Sequence, residues 1–324
     1  MDNILRCAVA GQDTLGETPL WCTETQSLLW LDIDNGRVQR FHPETGRHDV
    51  FAFDAKYAGS LALTEEPGCL LVGLDLALFT FDLSTGEQRL LCQVEPEDID
   101  NRLNDGRCDA RGRLWVGTMD NQLCRPNGSL YRIDPNGAIH RQFTDIIVSN
   151  TVAFSPHQDT LYFSDTRKFV TWKFPFDPER GTLGDRSIFV DHTGTRDRPD
   201  GACVDSEGFV WTAIFAGRRV VRFSPAGELD RVIELPVTNP TCVCLGGRDL
   251  KTLYVTTARK FLSRRQLREQ PFAGSVLAIE VSVPAFPNID FDCATLDPCP
   301  MRFSLTAPRV LCLIRVNSCA RRSS

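Results

Sequence analysis

Carboxylate and amide side chains recur in short segments that we expect to be loops preceding apolar strands, and a plain strand entry does not need such side chains. Four segments share this feature: LGETPLW (15–21), NRLNDGRCD (101–109), IIVSNTVAF (146–154) and RPDGACVD (198–205). Their candidate functional residues are Glu17, Asn104, Asn150 and Asp200. Two carboxylates together with amide oxygens suit a hard cation that prefers oxygen ligands, such as calcium. Because the set contains no histidine or thiolate, zinc is less favoured.

Arg102 precedes Asn104 by two residues in the second of these segments. Alternate residues of a strand share a face, so both side chains can point the same way. Beside a cation site, the Arg102 guanidinium is a plausible donor to a polyhydroxylated or anionic ligand. Each residue also has a simpler interpretation: the arginine as a solvated surface group, and Asn104-Asp105-Gly106 as a turn. The joint recurrence of the polar residues favours the functional interpretation.

Several well-known catalytic motifs are absent from the chain. The sequence has no G-x-S-x-G, H-E-x-x-H, G-x-G-x-x-G or P-loop pattern, which argues against a serine hydrolase elbow, a zincin and a nucleotide-binding loop.

The thirteen cysteines are odd in number and form no C-x-x-C pair, so we expect reduced thiols rather than a disulfide framework. Cys242 and Cys244 alternate within an apolar stretch and are expected to pack in the core.

Composition excludes other classes of partner. The 324 residues are 42% hydrophobic, and 36 basic against 42 acidic residues give a net charge of −6. The chain therefore lacks the excess of basic residues that is typical of a nucleic-acid-binding protein. No apolar run approaches the roughly 20 residues that span a bilayer, and the first residues do not resemble a secretory signal. We therefore expect a cytoplasmic protein with neither a nucleic-acid nor a membrane partner.

An apolar strand, a turn containing Asp or Gly, and a second strand recur six times along the chain. Aligned residues of the six units are Trp30, Leu71, Trp115, Tyr162, Trp211 and Tyr254, at spacings of 41, 44, 47, 49 and 43. Such spacings match one four-stranded propeller blade. Because helical periodicity is confined to residues 261–270, the sequence predicts an all-β, six-bladed β-propeller with a metal site in its central channel. We expect the N-terminal strand to close the ring by joining the last blade.

The repeat predicts a propeller over residues 1–284 and a distinct tail over residues 285–324. The tail contains five Arg, four Cys and several Pro but no Lys or Glu. Since it lacks the blade repeat, we expect an appended, poorly packed segment.

At the polar segments the sequence resembles the SMP-30/gluconolactonase/luciferin-regenerating family, which includes regucalcin and bacterial sugar lactonases. The resemblance runs from about residue 5 to residue 283, and its most specific part is RLNDGRCDARGRLWVGTM (102–119). Further matching segments are GETPLW, VSNTVAFSPHQDTLYFSDT, RPDGACVDSEGFVWTA and LPVTNPTCVCLGGRDLKTLYVTTAR. The resemblance implies metal ligands at Glu17, Asn150 and Asp200, a substrate-binding pair at Arg102 and Asn104, and proton transfer by Asp200.

Two positions depart from the family pattern. Thr151 stands where the family commonly has a glycine after the metal-binding asparagine, so the local turn could differ. Asp120-Asn121-Gln122 stands where animal members carry a substrate-contacting glutamate. The second departure puts the animal substrate preference in doubt.

The resemblance implies hydrolysis of an aldonolactone to the aldonic acid, with a sugar lactone as the small-molecule partner. One divalent cation is expected, calcium first, with zinc or manganese as alternatives. Two other functions stay open: hydrolysis of an organophosphate or xenobiotic lactone on the same scaffold, and calcium-binding regulation without catalysis. The sequence leaves the oligomeric state and the physiological lactone open.

Overall fold

Short strands pair in chain order to form six antiparallel sheets in the computed structural model, which describes residues 5–95, 100–285 and 291. The first strand is β1 (Leu5–Val9). Blade 1 comprises β2 (Gly16–Cys22), β3 (Ser27–Asp32), β4 (Arg37–His42) and β5 (Arg47–Ala52). Blade 2 comprises β6 (Ala58–Leu63), β7 (Cys69–Leu74), β8 (Ala77–Asp82) and β9 (Gln88–Gln93). Blade 3 comprises β10 (Asn101–Cys108), β11 (Leu114–Asp120), β12 (Gly128–Ile133) and β13 (Ile139–Ile146).

The remaining three blades follow the same plan. Blade 4 comprises β14 (Ser149–Phe154), β15 (Thr160–Asp165), β16 (Val170–Asp177), β17 (Thr182–Leu183) and β18 (Ser187–Asp191). Blade 5 comprises β19 (Arg198–Val204), β20 (Val210–Phe215), β21 (Arg219–Phe223) and β22 (Leu229–Glu234). Blade 6 comprises β23 (Pro240–Gly246), β24 (Thr252–Thr257), β25 (Val276–Glu280) and β1. The helical elements of the described residues are a 3-10 turn, Ile33–Asn35, and helix α1, Arg264–Glu269.

The ring closes through its first strand. β1 pairs antiparallel with β25, Leu5 opposite Ile279, so the outermost strand of blade 6 comes from the start of the chain. This confirms both the six-bladed propeller and the predicted mode of closure. The helix lies within the stretch for which helical periodicity was predicted.

The aligned residue of each repeat lies on the second strand of its blade and is buried. Three of them are tryptophans whose indole N–H donates to a buried aspartate at 2.8–2.9 Å. The pairs are Trp30 with Asp13, Trp115 with Asp109, and Trp211 with Asp205. A buried indole needs such an acceptor, and the same solution recurs in three blades.

Apolar side chains of neighbouring blades form the core. Among the described residues six apolar clusters occur, one between each pair of adjacent blades around the ring. Cys244 belongs to the cluster between blades 6 and 1, and Cys242 is fully buried. The nine cysteines that the structure describes are free thiols, as predicted for them.

The innermost strand of every blade carries a bulge near its start. The pairing register shifts between Glu17 and Leu20 in blade 1 and between Asn104 and Gly106 in blade 3, and the other four inner strands show the same irregularity. A bulge re-aims side chains and strengthens the local twist. The four polar segments therefore form the innermost strands themselves, and Arg102 and Asn104 lie on β10 rather than in a loop preceding a strand.

Two described tail residues contact the blades. The Phe291 side chain is fully buried in the cluster between blades 2 and 3, and its N–H donates to the Leu63 carbonyl at 2.8 Å. Ala285 donates its N–H to the Leu250 carbonyl at 2.9 Å. The rest of the predicted tail lies outside the described residues, so the boundary at residue 284 stays a prediction. In the described part of the chain, no helix is long and apolar enough to cross a membrane.

Candidate active site

One cavity is lined by all five residues predicted for the site: Glu17, Arg102, Asn104, Asn150 and Asp200. Its water-accessible volume is about 100 Å³. The five residues come from the innermost strands of blades 1, 3, 4 and 5, and each is less than 10% exposed. The recurrent bulges bring them together, because each bulge lies at the corresponding position of its blade.

Glu17 and Asp200 form a carboxyl pair in this cavity. Their side chains are in hydrogen-bond contact, and burial followed by mutual repulsion raises the pKa of Asp200 well above its ordinary value. Burial, and then the charge of Asp105, raises the pKa of Glu17. Arg102 is the nearby cation that opposes both shifts. Two buried carboxylates cannot both ionise readily without a further positive charge beside them.

A chain of amides links blades 3 and 4. The Asn104 Nδ2 donates to the Ser149 carbonyl at 2.7 Å and to the Asn150 Oδ1 at 3.0 Å. The Asn150 Nδ2 donates to the Thr166 hydroxyl at 2.8 Å. These bonds fix the orientation of Asn150, whose carbonyl oxygen has a second lone pair for a ligand.

Contacts on several sides immobilise Arg102. Its Nη1 donates to the Asn104 Oδ1 and to the Leu103 carbonyl, the latter at 3.0 Å. Its guanidinium carbon lies 5.6 Å from the centre of the Tyr57 ring, within the range of a cation–π contact. Burial lowers the pKa of Arg102, while the carboxylates of Asp34 and Glu17 favour its charged form. The prediction that Arg102 and Asn104 share a face is confirmed.

Asp105 is a site neighbour that sequence reasoning treated only as a turn residue. Its side chain is 2% exposed, and Oδ2 accepts from the Val152 N–H at 3.0 Å. The other carboxylate oxygen has no hydrogen-bond partner among the described residues. Its charge raises the pKa of both Glu17 and Asp200. One feature of the sequence could have pointed to Asp105: it directly follows a predicted site residue, as Thr18 and Thr151 also do.

Three residues that follow site residues have left-handed backbone conformations: Thr18 at φ 46°, Asp105 at φ 38° and Thr151 at φ 56°. This conformation is unfavourable for a β-branched residue, and the surrounding structure must enforce it. Thr151 therefore adopts the backbone that a glycine would provide, so the bulge forms without one. Its hydroxyl also donates to the Asp200 carbonyl at 2.5 Å, which ties blade 4 to blade 5.

Asp120 holds a loop beside the cavity and is not one of its lining residues. Its carboxylate accepts from the Arg125 Nη2 at 2.7 Å and from the Cys124 N–H at 3.0 Å. The side-chain and backbone bonds outweigh burial and lower the pKa of Asp120 well below its ordinary value. Leu123, inside the loop that these bonds shape, lines the cavity. Asp120 is thus placed to set the wall that faces a substrate.

The side chains of the cavity offer oxygen donors that suit a hard cation. Within the described ranges no group of three or more His, Cys, Asp or Glu is arranged to hold a metal. The predicted set, however, has only two acids, Glu17 and Asp200, with an amide from Asn150. Two adjoining buried carboxyls, and an unpartnered oxygen on Asp105 behind them, match the oxygen chemistry of a hard divalent cation.

Comparisons with known proteins agree with this fold and with the cluster of acids, amides and an arginine in its cavity. The family model described as "SMP-30/Gluconolactonase/LRE-like region" matches residues 15–259. The chain belongs to this family.

Known relatives cover most of the chain. It is 37% identical over 285 residues to a 6-deoxy-6-sulfogluconolactonase from Pseudomonas putida, covering 88% of this chain and 97% of that protein. It is 35% identical to an L-arabinolactonase from Azospirillum brasilense, covering 83% and 89%. A solved structure described as a calcium-binding protein, regucalcin, from Agrobacterium tumefaciens is 29% identical with a TM-score of 0.86, covering 89% of this chain and 97% of that one.

Proposed function

We propose that this chain is a lactonase that hydrolyses a sugar lactone to its aldonic acid with the help of one divalent cation. The observation that carries the proposal is the convergence of Glu17, Asn150 and Asp200 with Arg102 and Asn104 in one cavity. The names of the two lactonase relatives support the substrate class. Because those names specify different sugars, they support the class and not one particular lactone.

Glu17, Asn150 and Asp200 are the residues we assign to hold the cation. Their oxygen-only chemistry favours calcium, with manganese or zinc as alternatives, and the regucalcin likeness supports calcium. When bound, the cation supplies Lewis acidity toward a lactone carbonyl.

The chain's own residues then have separate tasks. Asp200 accepts the proton of the attacking water at its carboxylate, a transfer typically worth roughly 10²–10⁴-fold in rate. Thr151 fixes the position of that residue by bonding its main-chain carbonyl. Arg102 and Asn104, held against each other, bind sugar hydroxyls and orient the ring. Met119 and Leu123 in the cavity wall exclude water from the substrate.

Acid release tests the proposal directly. A pH-stat assay would compare gluconolactone, arabinonolactone, xylonolactone and galactonolactone, with spontaneous hydrolysis measured without enzyme. We expect saturable turnover of at least one of them by calcium-loaded protein. A folded, metal-loaded protein that hydrolyses none of the four lactones above background would contradict the proposal. Metal binding without turnover would favour the calcium-binding regulator.

One observation favours a second candidate, hydrolysis of an apolar xenobiotic lactone. The cavity wall contains apolar side chains beside the polar cluster, among them Met119, Phe215 and Phe261. Phe261 is 68% exposed and lies edge-to-face against Phe215, with ring centroids 6.3 Å apart, so the two rings form an apolar part of the cavity wall. A long-chain γ-lactone in the same assay separates the candidates: a higher kcat/KM for it than for every sugar lactone would favour the second.

A further inference from the structure

We propose that the substrate carries an anionic group at the end remote from the lactone carbonyl, and that Arg167 and Arg198 bind that group. This inference rests on the proposed function, since it places the group on a lactone in the same cavity. Both arginines line the cavity that contains the carboxyl pair. Arg167 follows β15 in blade 4, and Arg198 is the first residue of β19 in blade 5.

Acidic residues next to the two arginines are already engaged. The Asp165 carboxylate accepts from the backbone N–H groups of Ile147, Val148 and Arg167 at 2.9–3.2 Å. The Asp197 carboxylate forms a salt bridge with Arg219 at 2.6 Å. Both acids are therefore used in building the loops, and neither forms a salt bridge with Arg167 or Arg198 within the described part of the chain.

The other two cations of the cavity have partners of their own. Lys260 lies 2.8 Å from the Asp34 carboxylate, and Arg102 is bound by Asn104 and by the Leu103 carbonyl. By contrast, the structure shows no salt bridge and no hydrogen bond from the guanidinium of Arg167 or Arg198 to any described residue. Arg167 and Arg198 are therefore the two cations of the cavity that no side chain of the described residues binds directly.

A buried hydrogen bond holds the two arginine-bearing segments together. The Thr166 hydroxyl, next to Arg167, donates to the carbonyl of Pro199, next to Arg198, at 2.6 Å. The same hydroxyl accepts from the Asn150 Nδ2. The backbone segments that carry Arg167 and Arg198 are thus joined through Thr166 to Asn150, one of the proposed cation ligands.

Guanidinium groups suit carboxylate, sulfonate or phosphate oxygens because their donors form a planar fork. A sugar lactone can carry such a group on its terminal carbon, away from the ring carbonyl. With the carbonyl at the cluster of Glu17, Asn150 and Asp200, the terminal group faces the arginines, which have no other partner.

Paired substrates test this assignment on the full chain. The kcat/KM values are measured for gluconolactone, for 6-phosphogluconolactone and for glucarolactone, whose terminal group is a carboxylate. We expect the wild type to favour one of the two anionic lactones by at least about tenfold, as one charge-assisted hydrogen bond allows. The double variant R167Q/R198Q should lose roughly ten- to hundredfold on that substrate, mainly through KM, with less than about threefold change on gluconolactone.

Arg196→Gln is the matched control. Arg196 is an exposed arginine nearby that stacks over the Phe169 ring at 4.4 Å and does not line the cavity. The control should leave all three kcat/KM values unchanged. An equal loss on neutral and anionic lactones in the double variant, or no anionic preference in the wild type, would overturn the inference while leaving lactone hydrolysis intact.

Calorimetric titration with glucose 6-phosphate and glucose separates the inference from the proposed function. We expect the wild type to bind glucose 6-phosphate more tightly than glucose. High salt should weaken the binding of glucose 6-phosphate because exposed charges are screened. The double variant should bind glucose 6-phosphate no more tightly than glucose. This binding in a protein that hydrolyses no lactone would sustain the anion site and refute the lactonase. Equal binding of the two sugars would refute the anion site.

Discussion

Asp200 has two roles in the proposed mechanism, as a cation ligand and as the proton acceptor. It contacts Glu17, its backbone carbonyl is held by Thr151, and it lines the cavity with Arg102 and Asn150. A structural role alone does not require a buried carboxyl pair, which is costly to desolvate. The buried pair is therefore the feature on which our proposal of a cation in this cavity rests.

Asp200→Asn should lower kcat by at least roughly 10²-fold, because an amide keeps an oxygen for a cation but cannot accept the proton of water. Steady-state kinetics with elemental analysis of the bound metal measures this loss and separates it from loss of the cation. Asp191→Asn is the control, since Asp191 is exposed and its carboxylate bonds, among the described residues, only to Thr193. Wild-type turnover by a folded, metal-loaded Asp200→Asn protein would exclude Asp200 from proton transfer.

Arg102→Lys should impair hydrolysis of a sugar lactone much more than that of an unsubstituted δ-lactone. The Nη1 of Arg102 already donates to Asn104 and to the Leu103 carbonyl, so contacts to sugar hydroxyls require the other donors of the planar guanidinium, which a lysine ammonium lacks. The unsubstituted ring has no hydroxyls whose contacts could be lost. The measurement is kcat/KM for gluconolactone and for δ-valerolactone in both proteins. An equal loss on both substrates would show that Arg102 acts on the reacting carbonyl or on the structure of the site.

At the residue scale, the sequence predicted that Glu17, Asn104, Asn150 and Asp200 converge, because the same residue types recur at equivalent places of a repeat, and they do line one cavity; their roles stay predictions. The sequence did not point to Asp105, or to the arginines of the proposed anion site, because their place in the cavity depends on neighbours that are distant in the chain. Hydrogen bonding to Val152, for example, joins residues 47 positions apart, and no local pattern reveals it.

At the element scale, the bulged inner strands bring the site together. Each bulge allows neighbouring inner strands to approach closely around the channel, and small residues make that approach possible. Gly59 lies at the bulge of β6, where the backbone of β10 passes directly over it. An added Cβ at Gly59 would lie 2.0 Å from the Leu103 carbonyl oxygen, next to Arg102.

Gly59→Ala should therefore destabilise the protein by roughly 1–3 kcal/mol or prevent folding, as overpacking does when the obstructing atom is backbone. Urea unfolding followed by circular dichroism measures the change. Gly194→Ala is the matched control, since an added Cβ there would have no atom within 4 Å. Equal stability of the two variants would show that blades 2 and 3 tolerate separation at the channel.

The sequence pattern could not locate these bulges. Strand alternation predicted that Arg102 and Asn104 share a face, and that is confirmed. The irregularity begins at the next residue, Asp105, whose left-handed backbone is uncommon outside glycine. Thr18 and Thr151 have the same left-handed backbone, which β-branched residues disfavour. Tertiary packing must therefore impose this conformation, and local sequence preferences do not predict it.

At the scale of the whole molecule, six interfaces between blades close into a ring. Two of them include a described residue from beyond the repeat: Phe291 between blades 2 and 3, and Ala285 between blades 5 and 6. The Phe291 side chain fills the cluster between blades 2 and 3. Its N–H donates to the Leu63 carbonyl, and its carbonyl accepts from the Glu65 N–H. The repeat itself predicted the number of blades and the closure. It could not predict this contact, because the segment around Phe291 has no counterpart in the other units.

Phe291→Ala should lower the free energy of unfolding by about 3–5 kcal/mol, the range for emptying a buried phenylalanine site. Truncation after Pro284 removes the same side chain and should cost a comparable amount. Phe272→Ala is the control, because that ring is 38% exposed. Urea unfolding of the three proteins checks the prediction, which fails if the Phe291 and Phe272 variants are equally stable.

The central claim is that a divalent cation held by Glu17, Asn150 and Asp200 is required for lactone hydrolysis. The most direct measurement is the initial rate of acid release from the best lactone of the panel. It would be taken for protein stripped by a chelator and verified as metal-free by elemental analysis, and again after addition of calcium, manganese or zinc. We predict that the stripped protein is inactive and that at least one cation restores the rate, while Glu17→Gln weakens the apparent affinity for that cation. Full activity of verified metal-free protein would contradict the account.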